Sequence, residues 1–249
     1  MRVTGVDVCR RGWVAVSLEV PGPSSGTGPG PGPGPALAAV RVHATLAGLL
    51  GPEADPASGT DPATGTDPAS GMVTGIDMPL GLLEWGWREA DRAARGLLGP
   101  RRSSVFAIPP RAVWEQASYQ AASQRCRELT GQGFSIQAWG LRAKLMEADR
   151  YRETCGHPLY EVHPELAFGA MAGAPLAHSK HTEAGRDQRR ALLSQAGIVL
   201  PPVPRAPVTD TLDAAAVAWS AGRIAADRAV IQPARPQRDG RGREIAIRY

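Results

Sequence analysis

Two short segments, far apart in the chain, end in an aspartate at equivalent positions. The first reads Val3-Thr4-Gly5-Val6-Asp7 and the second reads Val73-Thr74-Gly75-Ile76-Asp77. Both have the composition of a buried strand, with a glycine two residues before the acid. If these strands lie parallel and adjacent, Asp7 and Asp77 leave the same edge of the sheet on the same face. Two carboxylates there repel unless a shared proton or a cation lies between them, and hard oxygen ligands favour Mg²⁺ or Mn²⁺. Either aspartate alone could simply end its strand in a turn.

A third group of acids begins a late helix. Thr209-Asp210-Thr211-Leu212-Asp213 precedes the alanines of residues 214–216, which predicts a helix that packs closely on the sheet. Asp210 and Asp213 are three residues apart and share one face of the first turn. With the two strand-end aspartates they would form a set of three or four carboxylates. Capping by Thr209 or Asp210, with acids favoured by the helix dipole, explains the same pattern without a metal.

Glu161 is a further candidate for catalysis. It lies in a predicted short strand at residues 159–163, where alternation places it on the same face as His163, with Glu165 just beyond Pro164. A strand end followed by a helix with Pro164 in its first turn explains the segment equally well.

Basic and hydroxyl side chains with phosphate-binding chemistry occur in two segments. Arg101, Arg102 and Ser103 follow a Gly-Pro break between predicted helices and could form a phosphate clamp. Lys180 and Arg186 flank the start of another predicted helix, whose N-terminus also favours a phosphate. A surface role is open for each. Arg88 and Arg92 belong to the same basic region as Arg101. For these two we prefer a different interpretation, a solvated helix face with Arg–Glu pairs.

The order of predicted elements indicates an α/β fold in one domain, residues 1–249. An antiparallel meander of three strands is followed by a parallel fourth strand, a helical insertion, a fifth strand and more helices. The prediction is a mixed five-stranded sheet flanked by helices. The segments concerned are strands at 3–8, 13–20, 37–44 and 72–77, the helical insertion at 84–157, and a C-terminal tail at 231–249 with a final short strand at 244–248.

Composition limits the classes of protein that the chain can be. Its 249 residues are 43% hydrophobic and 21% charged, which excludes a fibrous or wholly disordered protein. The Gly-Pro tract at 21–35 and the Asp-Pro-Ala repeat at 51–71 cannot form a core and are expected to be loops. No run of about 18 apolar residues exists, so we expect no membrane association. Three scattered cysteines and a strand that starts at the N-terminus favour a cytoplasmic protein.

Several of these motifs together resemble a known family. They are Gly5-Val6-Asp7, Gly12-Trp13-Val14-Ala15-Val16, Gly75-Ile76-Asp77-Met78-Pro79-Leu80-Gly81, Arg101-Arg102-Ser103-Ser104-Val105-Phe106, Glu161-Val162-His163-Pro164-Glu165, Ser179-Lys180 with Gly185-Arg186, and the helix that begins at Asp210. Over residues 3–230, apart from the two tracts, the chain resembles the predicted RNase H-like nuclease family called domain of unknown function 429, within the ribonuclease H-like superfamily. One difference is the turn Cys9-Arg10-Arg11-Gly12, which is bulkier than the Gly-rich turn expected after the first acid and could narrow access to Asp7.

The resemblance implies phosphodiester hydrolysis assisted by two Mg²⁺ or Mn²⁺ ions. In that scheme Asp7 bridges the metals, Asp77 helps to hold one, and Asp213 or Asp210 completes the set, with Glu161 as a fifth candidate. The substrate would be DNA or RNA, and the sequence does not choose between them. It also leaves the oligomeric state open, and a homodimer is one possibility.

Two other functions are compatible with the sequence. A hydrolase or phosphotransferase of small phosphates or nucleotides would need a nucleoside-sized pocket. A non-catalytic binding protein would use the acids only as caps, and its carboxylates would point apart.

Overall fold

The computed structural model describes residues 1–21, 34–51, 72–203 and 206–249. The Gly-Pro tract and the Asp-Pro-Ala repeat fall almost entirely outside these ranges. The prediction that both are loops therefore lies outside the described residues.

Seven strands in the described ranges form a single mixed sheet. They are β1 (Arg2–Cys9), β2 (Gly12–Glu19), β3 (Ala36–His43), β4 (Val73–Ile76), β5 (Leu159–Glu161), β6 (Ile231–Arg238) and β7 (Glu244–Arg248). Their order across the sheet is β3-β2-β1-β4-β5-β7-β6. The first three strands form the predicted antiparallel meander, and β4, β5 and β7 continue in parallel from β1. The predicted mixed α/β architecture is therefore confirmed.

The prediction of five strands is wrong, because the C-terminal tail adds two. The predicted short strand at 244–248 is β7, which pairs with β5 through Glu161 and Ile247. β6 pairs antiparallel with β7 and forms the edge of the sheet. Its polar sequence contains Pro233 and Pro236, which argue against a strand in most contexts. At the edge of a sheet one side of the strand has no neighbour, so a proline whose nitrogen faces that side removes no hydrogen bond between strands. The segment can still pair with β7 on its other side.

Helices cover both faces of the sheet. Those described are α1 (Leu46–Leu50), α2 (Glu89–Leu98), α3 (Arg111–Trp114), α4 (Tyr119–Thr130), α5 (Ile136–Trp139), α6 (Arg142–Thr154), α7 (Pro164–Ala172), α8 (Glu183–Gln195), α9 (Val208–Ala225) and a 3₁₀ helix at Gly99–Ser104. The predicted helical insertion, residues 84–157, corresponds to α2–α6. None of the helices within the described ranges is both long enough and apolar enough to cross a membrane.

Alternation along β1 assigns its side chains to two apolar clusters. Val3 belongs to a buried cluster with Phe168 of α7 and Leu193 of α8. Val6 belongs to the cluster on the opposite face, with Leu46 of α1 and others. Residues of odd number in β1 therefore face α7–α9, so Asp7 lies on that face of the sheet.

The glycines of the repeated strand pattern allow α9 to lie directly on the sheet. Gly5 and Gly75 are partners in the parallel register of β1 and β4. A Cβ atom on Gly5 would lie 2.1 Å from the backbone nitrogen of Ala218 and 2.2 Å from the carbonyl oxygen of Ala214. The backbone of α9 thus occupies the space that a side chain at position 5 would need. This close approach fixes the start of α9 against the ends of β1 and β4.

Candidate functional site

Asp7 and Asp77 lie side by side at the carboxyl edge of the sheet. Val6 pairs with Ile76 in the parallel register, and the backbone nitrogen of Asp77 donates a hydrogen bond of 2.8 Å to the carbonyl oxygen of Val6. One carboxylate oxygen of Asp7 accepts a hydrogen bond of 2.6 Å from the backbone nitrogen of Val8. The matched glycine and acid positions of the two strands therefore reflect a true structural pairing.

Helix α9 adds Asp213 to this edge. Asp213 immediately precedes Ala214, whose carbonyl contacts Gly5, and only 1% of its side chain is exposed. The helix begins at Val208 after Pro207, and no side chain caps its N-terminus. The interpretation that Thr209 or Asp210 caps the helix is therefore wrong, because the helix starts before either residue.

A cavity of about 450 Å³ opens between the strand ends and the surrounding helices. The predicted site residues that line it are Asp7, Asp77, Glu161, Asp213, Arg101, Ser103 and Lys180. Asp210, Arg102 and Arg186 are not among the lining residues. Asp210 lies close by, half-buried in the first turn of α9, where it accepts a hydrogen bond from Thr209 Oγ1.

The three central carboxyl groups disfavour one another's charge. Burial raises the pKa of Asp7 well above its ordinary value, and the charges of Asp77 and Asp213 raise it further. Burial and the charge of Asp213 raise the pKa of Asp77 from 3.8 to about 8. Burial likewise raises the pKa of Asp213, although Lys180 opposes that effect. The cluster therefore requires protons or cations to remain buried.

Lys180 supplies one positive charge to the cluster. Its Nζ lies 2.6 Å from Oδ2 of Asp213, in an ion pair whose lysine is 37% exposed. Burial opposes the charged form of Lys180, but the Asp213 carboxylate outweighs it and raises the lysine pKa. The other oxygen of Asp213, Oδ1, is buried and has no hydrogen-bond partner in the described part of the chain.

Glu161 lines the cavity, but both of its oxygens are engaged. Arg88 Nη2 lies 2.6 Å from Oε1 and 2.5 Å from Oε2 of Glu161, and the backbone nitrogen of Leu80 donates to Oε2 at 2.7 Å. Arg88 also lies 3.5 Å from Asp91, and its side chain is fully buried. The interpretation of Arg88 as part of a solvated face is therefore wrong, whereas Arg92 is exposed and paired with Glu89 as expected. Through these contacts Glu161 links Arg88 and the backbone of Leu80 in the cavity wall.

Two arginines that were expected to bind phosphate donate hydrogen bonds to backbone carbonyl groups. Arg101 donates to the carbonyl oxygens of Leu176 and Ala177 at 3.2 and 2.8 Å, although it also lines the cavity. Arg186 donates to the carbonyl oxygen of His181 at 3.1 Å. Both side chains therefore organise the segment between α7 and α8, which contains Lys180.

The structure adds further polar side chains that had not been selected as site residues, His163 and Glu165 among them. His163 lines the cavity, and its Nε2 lies 3.3 Å from the carbonyl oxygen of Ser104. Burial lowers the pKa of His163, which favours the neutral imidazole. Glu165 also lines the cavity and pairs through one oxygen with the buried Arg189, while its other oxygen has no partner within the described residues. The alternation of Glu161 and His163, followed by Glu165, was the sequence signal for this group.

The donor chemistry of the cavity fits a divalent cation. Its oxygen donors are carboxylates, the type that Mg²⁺ and Mn²⁺ prefer, and Asp213 Oδ1 is buried without a partner among the described residues. Over the same residues, no three His, Cys, Asp or Glu side chains are already arranged as a coordination shell. Protons, which the raised pKa values of Asp7 and Asp77 favour, and the Lys180 ammonium reduce the negative charge of this cluster.

Comparison with known proteins adds the family. No curated protein and no solved structure matches the chain. A family model described as "Protein of unknown function (DUF429)" matches residues 5–238, which include every residue of the cavity except Ile247. This match confirms the resemblance to domain of unknown function 429. Because it covers nearly the whole chain, the protein belongs to the DUF429 family.

Proposed function

We propose that the protein is a divalent-metal-dependent phosphodiesterase that cleaves DNA or RNA. The observation that supports this most directly is the meeting of Asp7, Asp77 and Asp213 at one cavity. These residues come from two strands and a helix that are distant in sequence. A non-catalytic protein that used these acids only as caps would not need them at one cavity. Here the charges of Asp77 and Asp213 both raise the pKa of Asp7, which supports their lying close together.

The charge balance of the cavity supports a metal. The buried carboxyl groups of Asp7 and Asp213 and the half-buried one of Asp77 face one lysine, and their raised pKa values reflect the cost of ionising them in this environment. Asp7, Asp77 and Asp213 would hold the cation, with Asp210 just outside the cavity. A bound Mg²⁺ or Mn²⁺ supplies Lewis-acid polarisation of the phosphate and activation of the attacking water.

The topology agrees with the ribonuclease H-like architecture that the resemblance implies. The first acid lies in the first strand of a meander, the second follows the fourth strand, and the third lies on a late helix against both. We therefore place the chain in that superfamily as part of the proposal, with β6 and β7 as an addition to its sheet.

Other residues of the cavity have roles in binding and proton transfer. Ser103 is exposed at the cavity wall and can donate a hydrogen bond to a phosphate oxygen. His163 is neutral at pH 7 because burial lowers its pKa. Its Nε2 hydrogen is directed to Ser104, which leaves Nδ1 as the nitrogen able to accept a proton.

Exposed arginines near the cavity favour an extended polyanion as substrate. Arg10 and Arg11 form the turn after β1, two and three residues beyond Val8, which lines the cavity. Arg102 lies between two lining residues of the 3₁₀ helix. Within the described ranges these three exposed side chains form no ion pair with an acid, so they remain available for backbone phosphates.

A small phosphate ester is the second candidate substrate, because the cavity has the volume of a small-molecule pocket. About 450 Å³ falls in the range of small-molecule pockets, which is about 300–1,000 Å³. A nucleotide or sugar phosphate would fill such a cavity without contacting the arginines outside it. The two candidates therefore differ in whether the substrate extends beyond the cavity.

The test is a hydrolysis assay with matched variants. Labelled single- and double-stranded DNA and RNA, and bis(p-nitrophenyl) phosphate as a small diester, are incubated with Mg²⁺ or Mn²⁺. Three proteins are compared: the parent, the test variant Asp7→Asn and the control variant Asp187→Asn. Asp187 is an exposed aspartate of α8 paired with Arg190. We expect metal-dependent cleavage of nucleic acid by the parent and Asp187→Asn, and loss of at least about 100-fold in Asp7→Asn. Cleavage of the small diester alone would favour the second candidate, and equal activity of the two variants would refute the site.

A further inference from the structure

Lys180 occupies a position beside Asp213 that a metal ion would also need. Its Nζ is 2.6 Å from Asp213 Oδ2, and both residues line the cavity. The aspartate is 1% exposed and the lysine 37% exposed, so the ammonium group reaches the buried carboxylate from the solvent side. A long side chain in this position can leave toward solvent without any change in the packing of α9.

The backbone that carries Lys180 is held by side chains on either side of it. Carbonyl groups between residues 176 and 181 accept hydrogen bonds from four side chains. The pairs are Arg101 with Leu176 and Ala177, Arg189 with His178, Thr182 with Ser179, and Arg186 with His181. The position of the Lys180 Cα is therefore fixed, and the side chain is the part of the residue that is free to move.

We propose that Lys180 is a resident cation that a divalent metal displaces from Asp213, and that the released ammonium then binds the substrate phosphate. This inference rests on the proposed function. Binding of a metal to the Asp213 carboxylate and the ion pair with Lys180 oppose each other, because a divalent ion at either oxygen would lie close to the ammonium group and repel it. The exchange orders the steps: the metal binds first, and the lysine becomes available to the phosphate only afterwards.

The alternative is a permanent ion pair that only stabilises the fold. In that case Asp213 never binds a metal, and removing Lys180 leaves a buried carboxylate without a partner. The two possibilities predict different effects of a lysine substitution on metal affinity. A competing cation weakens metal binding, whereas a structural partner of Asp213 does not.

The first experiment is calorimetric titration of the full chain with Mn²⁺ at pH 8. The variants are Lys180→Met and Arg102→Gln, which removes a nearby positive charge that has no partner acid among the described residues. We expect Mn²⁺ to bind Lys180→Met about tenfold more tightly than the parent. In the parent the metal must first break the charged hydrogen bond between Lys180 and Asp213, and the cost of breaking such a bond corresponds to about this factor. In Arg102→Gln the affinity should change by less than about twofold.

The second experiment uses the unaltered protein, so it does not depend on the folding of a variant. The chain has two lysines, Lys144 and Lys180. Lys144 is paired with Glu147, away from the cavity. A brief pulse of an amine-acetylating reagent, followed by mass spectrometry, measures the reactivity of each. We expect Mn²⁺ to increase the labelling of Lys180 at least about threefold, because the ion pair no longer protects the amine, and to leave Lys144 unchanged.

The outcomes separate this inference from the proposed function. If the parent binds Mn²⁺ but Lys180→Met binds it no more tightly, or Mn²⁺ leaves the labelling of Lys180 unchanged, the displacement is refuted, while metal binding by the protein is retained. If neither parent nor variant binds Mn²⁺, both proposals are refuted.

Discussion

Replacing Asp77 with asparagine is expected to stabilise the metal-free protein at high pH. Asp77 directly follows β4, which lies between β1 and β5, and its pKa rises from 3.8 to about 8. A carboxyl group with a raised pKa binds its proton more tightly in the folded state. The free energy of unfolding therefore falls as the pH rises from about 4 to about 8, and the loss is complete above that range.

The size of the effect follows from the shift. Four pKa units at about 1.4 kcal/mol each give about 6 kcal/mol for an isolated group. The repulsion is shared with Asp7 and Asp213, so one substitution should recover only about half, or about 3 kcal/mol. At pH 4.5 the folded parent is protonated at this position, whereas the unfolded chain, with its ordinary pKa of 3.8, is already mostly ionised. Because pH 4.5 lies less than one unit above that value, the expected difference is still below about 1 kcal/mol.

Urea denaturation in the presence of EDTA, at pH 4.5 and pH 9, measures these differences. Asp187→Asn is the control, since it removes an exposed aspartate paired with Arg190. Exposed ion pairs contribute at most about 1 kcal/mol, so its effect should stay small at both pH values. A gap between Asp77→Asn and the parent that does not widen at pH 9 would show that Asp77 is not part of a buried acidic cluster.

Three further predictions follow from contacts in the fold. Gly5→Ala should lower the free energy of unfolding by about 3 kcal/mol or more, because its Cβ atom would overlap the backbone of α9. Urea denaturation measures this loss. Gly96→Ala is the control, since Gly96 has open space around it, and it should be neutral or stabilising. Arg88→Met should cost about 3–5 kcal/mol, since it leaves Glu161 buried without its partner, and adding Glu161→Gln should recover part of that loss in the same measurement; full additivity of the two substitutions would contradict the pairing. Substituting both arginines of the turn at residues 10–11 with glutamine should weaken binding to DNA or RNA and reduce the slope of log affinity against log salt by up to about 2, and an unchanged slope would place the nucleic acid elsewhere.

The sequence predicted the centre of the site because a local pattern was repeated. Parallel strands that share a glycine and an acid at the same positions bring both acids to one edge when their register matches, as it does for Gly5 and Gly75. The small residues after Asp213 gave the complementary signal, since only a helix with such a face can contact glycines in a sheet. These features follow from side-chain size and strand alternation, which are visible in a single sequence.

Other features depended on partners that are distant in sequence. Arg88 looks like a surface residue beside local acids, but its main partner, Glu161, is 73 residues away. Arg101 reaches carbonyl groups 75 and 76 residues further along the chain. No local pattern distinguishes an arginine that binds phosphate from one that binds a backbone carbonyl. β6 was missed for a related reason, because its prolines are acceptable only at the edge position that β7 creates.

The central claim, that Asp7, Asp77 and Asp213 gather to hold a divalent cation, is tested most directly by a crystal structure of the protein grown with Mn²⁺. Anomalous scattering locates manganese without reference to the protein coordinates. We predict a manganese peak in the cavity, within about 2.0–2.4 Å of carboxylate oxygens of at least two of these aspartates, with Lys180 withdrawn from Asp213. A cavity without manganese at saturating Mn²⁺, with Lys180 still bound to Asp213, would contradict the claim.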